Sequence, residues 1–438
     1  MSESEARTLL TGWKGDTYIY GLGVLDSVGE LAKTLGSTAL LVCSRSEWAR
    51  KPIETITESL KKANVSYHKV LGSRPNCPRE DLYRIALTTA VRRPHSIVAL
   101  GGGSTIDCAK AASVLATYEP TEVTQVLGVD WDESCTIDPY FGTGMVTKMK
   151  DATGKTPIPI IAVQTASSSA AHLTKYSNVT DPITGQKKLI VDDAIVPEYA
   201  VFDYEITFEA PEPLTVDGGL DGIAHLWEVF MGATGKSYYE KVKQIVFIGI
   251  ELIVRNLKLA MEEKDNVEAR TALGLGTDLG GYAIMVGGTN GPHLGSFSLV
   301  DVLTHGRACA ILNPYYTVFF SEATQDQLGT IGPTFKEAGF IETDLEELRG
   351  RELGEVVAEG MVDLNRSVGF PITLREAGAT EEHLKRMLDA AKDPQLKMKL
   401  LNMPTPLNPD RGDVDRYMKG VLEAAFTGDF GLIKTVEG

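Results

Sequence analysis

HSIVALGGGSTIDCAK, residues 95–110, is the stretch that decides the fold of the N-terminal half of this chain. Its SIVAL segment is a short, β-branched apolar run, which predicts a buried strand. Three successive glycines, Gly101, Gly102 and Gly103, let the backbone turn sharply and approach a ligand without a Cβ in the way. Ser104 or Thr105 is then predicted to cap a helix. The inner side of that helix is predicted to carry Ile106, Ala109, Ala111 and Val114.

The order of strand, glycine-rich turn and helix N-terminus is typical of an anion-binding site. Free backbone N–H groups and the helix dipole point toward the turn, where a phosphate group can bind. Residues Gly101–Ser104 are therefore predicted to bind a phosphate. Glycine-rich turns of this kind also occur for packing alone, and the segment is not the GxGxxG fingerprint.

The flanking sequence extends this unit into a sheet. Apolar runs at 38–44 (TALLVCS), 157–163 (PIPIIAV) and 199–203 (YAVFD) predict further strands, with helical stretches between them. That alternation predicts a parallel α/β sheet whose ligands bind at the carboxyl ends of the strands. Residues 117–155 lack a clean period and are predicted to form a long loop.

The pattern changes after residue 208. Apolar residues between 242 and 260 follow the helical period for five turns, and strand signals are absent from the later sequence. We therefore predict two domains, an α/β domain over 1–208 and an all-helical domain over 209–438.

Four side chains of the predicted helical domain suggest a metal site. Asp221 and His225 are spaced i, i+4, which puts a carboxylate and an imidazole on one face of a helix. His293 and His305 would complete a four-ligand shell for a borderline divalent cation. The alternative is an ordinary acidic helix start with core or surface histidines, and spacing alone leaves both interpretations open.

Composition sets the protein class. The chain has 438 residues, 43% of them hydrophobic, and a formal net charge of −16, which argues against nucleic acid and anionic membrane surfaces as partners. Its five cysteines form no CxxC pair, so neither a zinc ribbon nor a disulfide framework is indicated. The N-terminus lacks a signal-peptide pattern, and no apolar stretch is long enough to span a bilayer. We expect a cytoplasmic protein.

Four segments carry a resemblance to a known family. GGGSTIDCAK, IIAVQTASSSAAHLT, GLDGIAHLWE and GPHLGSFSLVDVLTHGRACAILNP, in this order, resemble the iron-containing (group III) alcohol dehydrogenases from about Tyr18 to the C-terminus. The resemblance implies the dehydroquinate synthase-like architecture, a nucleotide-binding α/β domain followed by an all-α metal-binding domain. It implies Asp221, His225, His293 and His305 as metal ligands. The residue types suit Fe²⁺, Zn²⁺ or Mn²⁺, and the resemblance favours Fe²⁺.

The resemblance also implies which residues contact the nucleotide. They are Asn76, Gly101, Gly102, Gly103, Ser104, Asp107, Thr165, Ser168, Ser169 and Lys188. Three positions depart from the family pattern. The TASSSAA segment lacks two glycines, His172 stands where the family has a glutamate, and Phe297 takes the place of a histidine that would be a candidate proton relay.

The residues after TALLVC bear on the choice between NAD and NADP. Enzymes that prefer NAD usually place an acid there, against the ribose 2′-OH. This chain has Ser44 and Arg45, which could bind the 2′-phosphate of NADP. We expect NADP(H) to be accepted. The alternative is that Arg45 only lies on a solvated loop and that NAD binds as well.

Together these features predict a metal-dependent, NAD(P)-linked alcohol dehydrogenase or aldehyde reductase. The cofactor carries the hydride chemistry and the protein supplies orientation. A small alcohol or aldehyde is the expected substrate, and a homo-oligomer with a dimer as default is the expected assembly. Two alternatives on the same fold are a dehydroquinate-synthase-like lyase and a hydroxyacid–oxoacid transhydrogenase.

Overall fold

The computed structural model describes residues 2–435, and their contacts divide the chain into two compact units. The α/β unit contains residues 11–166 and 170–210. The helical unit contains nearly all the remainder, from residue 211 onward, together with residues 2–10 and the short segment 167–169. Neither of these two short segments was indicated by the sequence as part of the helical unit.

The α/β unit contains all the strands that the described residues form. Their bounds are β1 (Tyr18–Gly21), β2 (Thr38–Cys43), β3 (Ser66–Leu71), β4 (Ser96–Gly101), β5 (Gly142–Thr143), β6 (Ile160–Gln164), β7 (Tyr176–Asp181), β8 (Gln186–Val191) and β9 (Tyr199–Asp203).

Six of these strands form the parallel sheet that the sequence predicts, in the order β1-β9-β6-β4-β2-β3. The central strand β4 is buried along its length, and its Val98 pairs with Leu41 on one side and Ile161 on the other. The chain runs from β2 outward to β3 and then returns past β2 to β4. The strand order therefore reverses between β2 and β4, and ligands of open α/β sheets bind at such a point, outside the carboxyl ends of the strands.

A second, smaller sheet has the order β5-β8-β7. Strands β7 and β8 form an antiparallel hairpin, in which Asp181 pairs with Gln186, and Gly185 in its turn has a φ of +64°. The sequence interpretation had missed this hairpin.

The helices of the described residues are bounded as follows: α1 (Ser2–Lys14), α2 (Val28–Leu35), α3 (Arg50–Lys62), α4 (Arg79–Arg92), α5 (Gly103–Leu115), α6 (Pro120–Leu127), α7 (Trp131–Ser134), α8 (Met145–Thr153), α9 (Glu212–Gly232), α10 (Tyr239–Glu262), α11 (Val267–Val286), α12 (Gly291–Ser296), α13 (His305–Phe319), α14 (Gln325–Glu337), α15 (Gly350–Ser367), α16 (Glu381–Ala390), α17 (Lys397–Leu401) and α18 (Lys419–Thr427). From residue 211 onward the described chain forms no strand, which confirms the predicted all-helical second half. No helix within residues 2–435 is long and apolar enough to cross a membrane.

The prediction of a long loop over residues 117–155 is wrong. The segment forms α6, α7, the short strand β5 and α8. Helix α6 begins with Pro120 at its first position, and Glu119 and Glu122 form a capping box at its N-terminus. These elements are too short for a period to emerge from the sequence, so caps decide the structure more than amphipathic pattern does.

Helix α5 is the helix predicted after the glycine turn, but it is not capped as predicted. It begins at Gly103 with Gly102 as its N-cap residue, and no side chain caps it. Ser104 Oγ instead accepts a hydrogen bond from the backbone N–H of Asn76, at 3.0 Å. The predicted inner residues Ile106, Ala109, Ala111 and Val114 are all fully buried.

Lys110 fixes α5 to the chain that follows β6. Its side chain is fully buried, and Nζ donates hydrogen bonds to the carbonyls of Ala171, Thr174 and Tyr176 at 2.6, 2.7 and 2.9 Å. Burial lowers the pKa of Lys110 to about 8, and the nearby Asp107 opposes that shift. The ammonium therefore supplies a hydrogen-bond donor to three backbone carbonyls, which would lose this donor without it.

Replacement of Lys110 by Met should destabilise the α/β unit. The change leaves three buried carbonyls without their donor and Asp107 without its nearby cation, so we expect the free energy of unfolding to fall by about 3 kcal/mol. Urea unfolding followed by circular dichroism measures this loss. Lys148→Met, at an exposed position of α8, is the matched control and should change stability by less than about 0.5 kcal/mol. Equal effects of the two changes would contradict this role.

Candidate metal centre and nucleotide loop

Helix α9 carries the first two predicted metal ligands within the helical unit. Asp221 and His225 are both buried, 3% and 4% exposed. Asp221 Oδ1 lies 3.8 Å from His293 Nε2 and 4.0 Å from His305 Nε2. A carboxylate oxygen from α9, an imidazole nitrogen from α12 and one from α13 therefore converge on the same point.

Hydrogen bonds on the far side of two rings fix their orientation. His293 Nδ1 lies 2.5 Å from Glu228 Oε1, and His305 Nδ1 lies 3.1 Å from Ser296 Oγ. When Nδ1 carries the proton and donates it to such a partner, Nε2 keeps its lone pair for a cation. The Nε2 atoms of both rings are the ones that approach Asp221.

His225 is the fourth predicted ligand. Its ring lies 4.6 Å from that of His293 between centroids, and its buried Nδ1 has no hydrogen-bond partner within residues 2–435. Burial, and secondarily the charges of His293 and Lys399, holds the pKa of His225 well below its usual range. The imidazole is therefore neutral, which is the form that binds metal.

This donor set fits a divalent cation. One carboxylate and two imidazoles whose donor atoms lie within 4.8 Å of one another, with a third, buried imidazole beside them, suit Fe²⁺, Zn²⁺ or Mn²⁺. The structure thus brings the donor atoms of Asp221, His293 and His305 together, with the His225 ring beside that of His293.

Two further side chains of this centre were not singled out by the sequence interpretation. Cys309 lies one turn after His305 on α13, and its Sγ falls within 4.8 Å of the donor atoms of Asp221, His293 and His305. Lys399, on α17, is 3% exposed and donates a hydrogen bond to Thr289 Oγ1. Burial lowers the pKa of Lys399 to about 8, while Glu228 and Cys309 act to raise it. The i, i+4 spacing from His305 could have indicated Cys309, whereas Lys399 is 94 positions from His305 and has no local signal.

The N-terminus of α13 is anchored on α9 one turn before Asp221. Asp217 Oδ1 accepts hydrogen bonds from Arg307, the shorter one 2.9 Å long, and Asp217 Oδ2 accepts one from Thr304 Oγ1 at 2.5 Å. Between these residues, Gly306 lies directly on the α9 backbone, where an added Cβ would be 2.2 Å from the Asp217 carbonyl oxygen. Only glycine allows this approach, which places His305 beside Asp221.

Phe297, at the family's histidine position, packs in this centre. Its side chain is 1% exposed, its ring stacks on that of His305 at 6.0 Å, and Lys399 Nζ lies 5.5 Å from its centroid. An apolar ring therefore lies beside His305, where the resemblance implies a histidine that would be a candidate proton relay.

In the α/β unit, the glycine loop lies at the point where the strand order reverses. Gly101 packs closely on Thr105, since an added Cβ would be 2.6 Å from Thr105 Cβ, whereas the space beside Gly102 is open. Asn76 contacts the loop through its backbone N–H to Ser104, and its own φ is +65°. Asp107 is buried, and its Oδ2 accepts hydrogen bonds from the backbone and side chain of Asn178 at 3.1 and 3.0 Å.

The TASSSAA segment divides between the two units. Thr165 is buried in the α/β unit, while residues 167–169 group with the helical unit. There the Ser167 carbonyl and the Ser168 side chain lie against Gly218 of α9, near Asp217. The buried Oγ atoms of Ser167 and Ser169 have no hydrogen-bond partner within the described residues, which leaves them for a ligand or water. In this segment, which lacks two glycines of the family pattern, Ala170 has a φ of +47°.

His172 lies inside the α/β unit. It is 1% exposed, its Nε2 is 3.3 Å from Tyr18 Oη, and its ring packs edge-on against Phe202.

Arg45 is exposed, but two contacts hold its side chain against the protein. Its Nε donates to the Gly72 carbonyl at 2.9 Å, and its guanidinium pairs with Asp81 at 3.2 Å. Arg74 and Arg84 also pair with the same carboxylate, at 2.9 and 3.2 Å. Arg74 also pairs with Glu80 at 3.5 Å, so three guanidinium groups and two carboxylates leave one net positive charge near the end of β2, next to Ser44.

Lys188, predicted near the ribose, belongs to a cluster around Asp138. Its Nζ lies 3.8 Å from Asp138 Oδ1 and 5.8 Å from the centroid of Phe141, and Arg79 makes a bidentate pair with Asp138 at 2.7 Å for each bond.

Replacement of Gly306 by Ala should disrupt the metal centre. The new methyl group would overlap the Asp217 carbonyl, so α13 must shift and carry His305 away from Asp221. We expect a loss of about 1–3 kcal/mol in stability and a fall of roughly tenfold or more in Zn²⁺ affinity, measured by chelator competition. Gly329→Ala, on an exposed face of α14 with nothing within 4 Å, is the control and should keep full affinity. Unchanged Zn²⁺ affinity in Gly306→Ala would refute the close-approach argument.

Comparison with known proteins identifies the family. Residues 16–204 match the iron-containing alcohol dehydrogenase family, and residues 215–417 match the C-terminal domain of the Fe-containing alcohol dehydrogenase family. The chain is 26% identical over 379 residues to a 1,3-propanediol dehydrogenase of Citrobacter freundii, covering 85% of this chain and 89% of that protein. It is 25% identical to an NADH-dependent butanol dehydrogenase A of Clostridium acetobutylicum, covering 85% and 90%. It is 26% identical to an NADPH-dependent butanol dehydrogenase of Clostridium saccharobutylicum, covering 93% and 96%.

Solved structures share the fold. An alcohol dehydrogenase from Oenococcus oeni superposes with a TM-score of 0.77 at 22% identity, covering 94% of this chain and 98% of that one. The predicted fold class and family are thereby confirmed. With both halves of the chain matched in order, and with the predicted ligands gathered in the helical unit, the chain belongs to the iron-containing alcohol dehydrogenase family, oxidoreductases that act on CH–OH groups.

Proposed function

We propose that Asp221, His225, His293 and His305 hold a divalent cation in an enzyme that interconverts small alcohols and aldehydes with NAD(P)(H). The observation that carries this proposal is the convergence of Asp221 Oδ1 with two imidazole Nε2 atoms at 3.8 and 4.0 Å, while Nδ1 of both rings is engaged elsewhere.

A divalent cation at this centre supplies Lewis-acid polarisation of the substrate oxygen. The surrounding residues determine how the proposed ligands are oriented. Glu228 and Ser296 orient the His293 and His305 rings, and Asp217 holds α13 in register with α9. Phe297 packs its buried ring against that of His305. Such preorganisation means that little reorientation is needed during the reaction.

The nucleotide contacts follow from the loop. We propose that Gly101–Ser104 and the N-terminus of α5 bind the pyrophosphate, with Asn76, Thr165, Ser168, Ser169 and Lys188 as further contacts. The open space beside Gly102 and the absence of a side-chain cap on α5 support this assignment. Asp107 acts indirectly, because its carboxylate accepts hydrogen bonds from Asn178 and positions that residue. Nicotinamide supplies the hydride acceptor or donor.

For the cofactor we propose that NADP(H) is accepted. Arg45, Arg74 and Arg84 surround Asp81 near the end of β2, and Arg74 also pairs with Glu80, which leaves an excess of one positive charge for a 2′-phosphate. The two butanol dehydrogenases compared above use NADH and NADPH, respectively, so similarity alone does not decide the preference.

The family assignment favours the dehydrogenase over the lyase and the transhydrogenase considered from the sequence. Net oxidation of NADPH by a simple aldehyde would separate the dehydrogenase from both. The cytoplasmic location and the homo-oligomer, with a dimer as default, stay predictions.

Replacement of His305 by Ala should abolish most aldehyde reduction but spare nucleotide binding. Loss of one ligand should lower kcat/KM for short aldehydes on the order of 10³-fold, about 4 kcal/mol of transition-state stabilisation. Assays with added Zn²⁺, Fe²⁺ or Mn²⁺ measure activity, and fluorescence titration measures NADPH affinity, which should stay within about threefold. His68→Ala, at an exposed position of β3, is the control and should keep full activity. A fully active His305→Ala protein would rule out the proposed centre.

Replacement of Arg45 by Ala should weaken NADPH selectively. If the guanidinium contributes to 2′-phosphate binding, KM for NADPH should rise about tenfold, the loss of one charge-assisted hydrogen bond. KM for NADH should change less than about twofold. Arg92→Ala, at the exposed end of α4, removes the same charge elsewhere and should change neither value. Equal increases for both nucleotides would show that Arg45 serves only its bonds to Gly72 and Asp81.

A further inference from the structure

Cys309 occupies a position from which it can contact the proposed metal. It is fully buried on α13, and its Sγ lies with the donor atoms of Asp221, His293 and His305 in a group whose members are all within 4.8 Å of one another. His305 and Cys309 are spaced i, i+4 on α13, as Asp221 and His225 are on α9. Each helix therefore presents a pair of donors from one face.

The distances suit a shared cation. In a tetrahedral zinc site with bonds of about 2.0–2.3 Å, neighbouring donor atoms lie roughly 3.3–3.6 Å apart. Asp221 Oδ1 is already 3.8 Å from His293 Nε2 and 4.0 Å from His305 Nε2. Since no pair in the group exceeds 4.8 Å, Sγ needs to move by only roughly 1 Å to join the same shell.

We propose that the Cys309 thiolate is a direct donor to the bound metal, alongside residues of the four-ligand set. This inference rests on the proposed metal centre and extends it. On binding, the S–H bond is replaced by a sulfur–metal bond and the proton leaves to solvent. Because a thiolate is a softer donor than imidazole or carboxylate, it shifts the preference of the centre toward Zn²⁺ and away from Mn²⁺ and Fe²⁺.

X-ray absorption spectroscopy at the zinc edge tests the proposal on full-length protein loaded with one equivalent of Zn²⁺. We expect one sulfur scatterer at about 2.3 Å together with nitrogen and oxygen at about 2.0–2.1 Å. Bound Zn²⁺ with only nitrogen and oxygen neighbours would overturn the role of Cys309 and leave the proposed centre intact. Failure of the wild-type protein to bind Zn²⁺ would overturn both.

Two variants connect the sulfur signal to this residue. Cys309→Ser should lose the sulfur shell and lower the ratio of Zn²⁺ to Mn²⁺ affinity by roughly tenfold or more. Cys135→Ser, at an exposed cysteine of the α/β unit, should keep both the shell and the ratio. A sulfur shell that persists in Cys309→Ser, or disappears in Cys135→Ser, would contradict the assignment. The wild-type spectrum decides the question even if Cys309→Ser folds poorly.

Discussion

The buried face of helix α9 is the constraint on which the metal centre depends. Asp217, Asp221, His225 and Glu228 are spaced by four, four and three residues, which places them within an arc of about 80° on an α-helix. Asp217 holds the N-terminus of α13, and Glu228 holds α12 through the backbone N–H groups of Asn290 and His293. Both partner helices are thus positioned from the same helix that carries the first two proposed ligands.

This arrangement places ionisable groups in the buried interior of the helical unit, where uncompensated charge is costly. Asp221, Glu228 and Lys399 are each no more than 3% exposed. Burial raises the pKa of Glu228 to about 8, while the backbone N–H groups of Asn290 and His293 and the charge of Lys399 act to lower it. A cation at the proposed centre would add positive charge here and would couple metal binding to the stability of the helical unit. Orientation of the rings and charge balance therefore depend on each other.

The sequence predicted those parts of the structure that local patterns determine. The strand before Gly101, the i, i+4 pair on α9 and the long amphipathic helix α10 all follow from spacing within a few turns. Helix α6 could have been found as well, because Pro120 and the Glu119–Glu122 box are a start signal in themselves. Glu228, one turn after His225, and Cys309, one turn after His305, lay within reach of the same argument.

Other features depend on contacts between distant segments. Lys399 approaches the centre from a helix near the C-terminus, and Asp81 on α4 engages Arg45 on the loop after β2. Neither pairing leaves a periodic signal. The N-terminus of α5 shows that residue type alone does not determine a helix cap. Serine is a preferred N-cap residue, but the Ser104 hydroxyl accepts a hydrogen bond from the Asn76 backbone instead.

Anomalous diffraction from crystals of metal-loaded protein, collected on both sides of the absorption edge, tests the central claim most directly. The account predicts one strong anomalous peak per chain, about 2.0–2.2 Å from Nε2 of His293 and His305 and from Asp221 Oδ1. A peak elsewhere, or none at this point while the protein contains a full equivalent of metal, would contradict it.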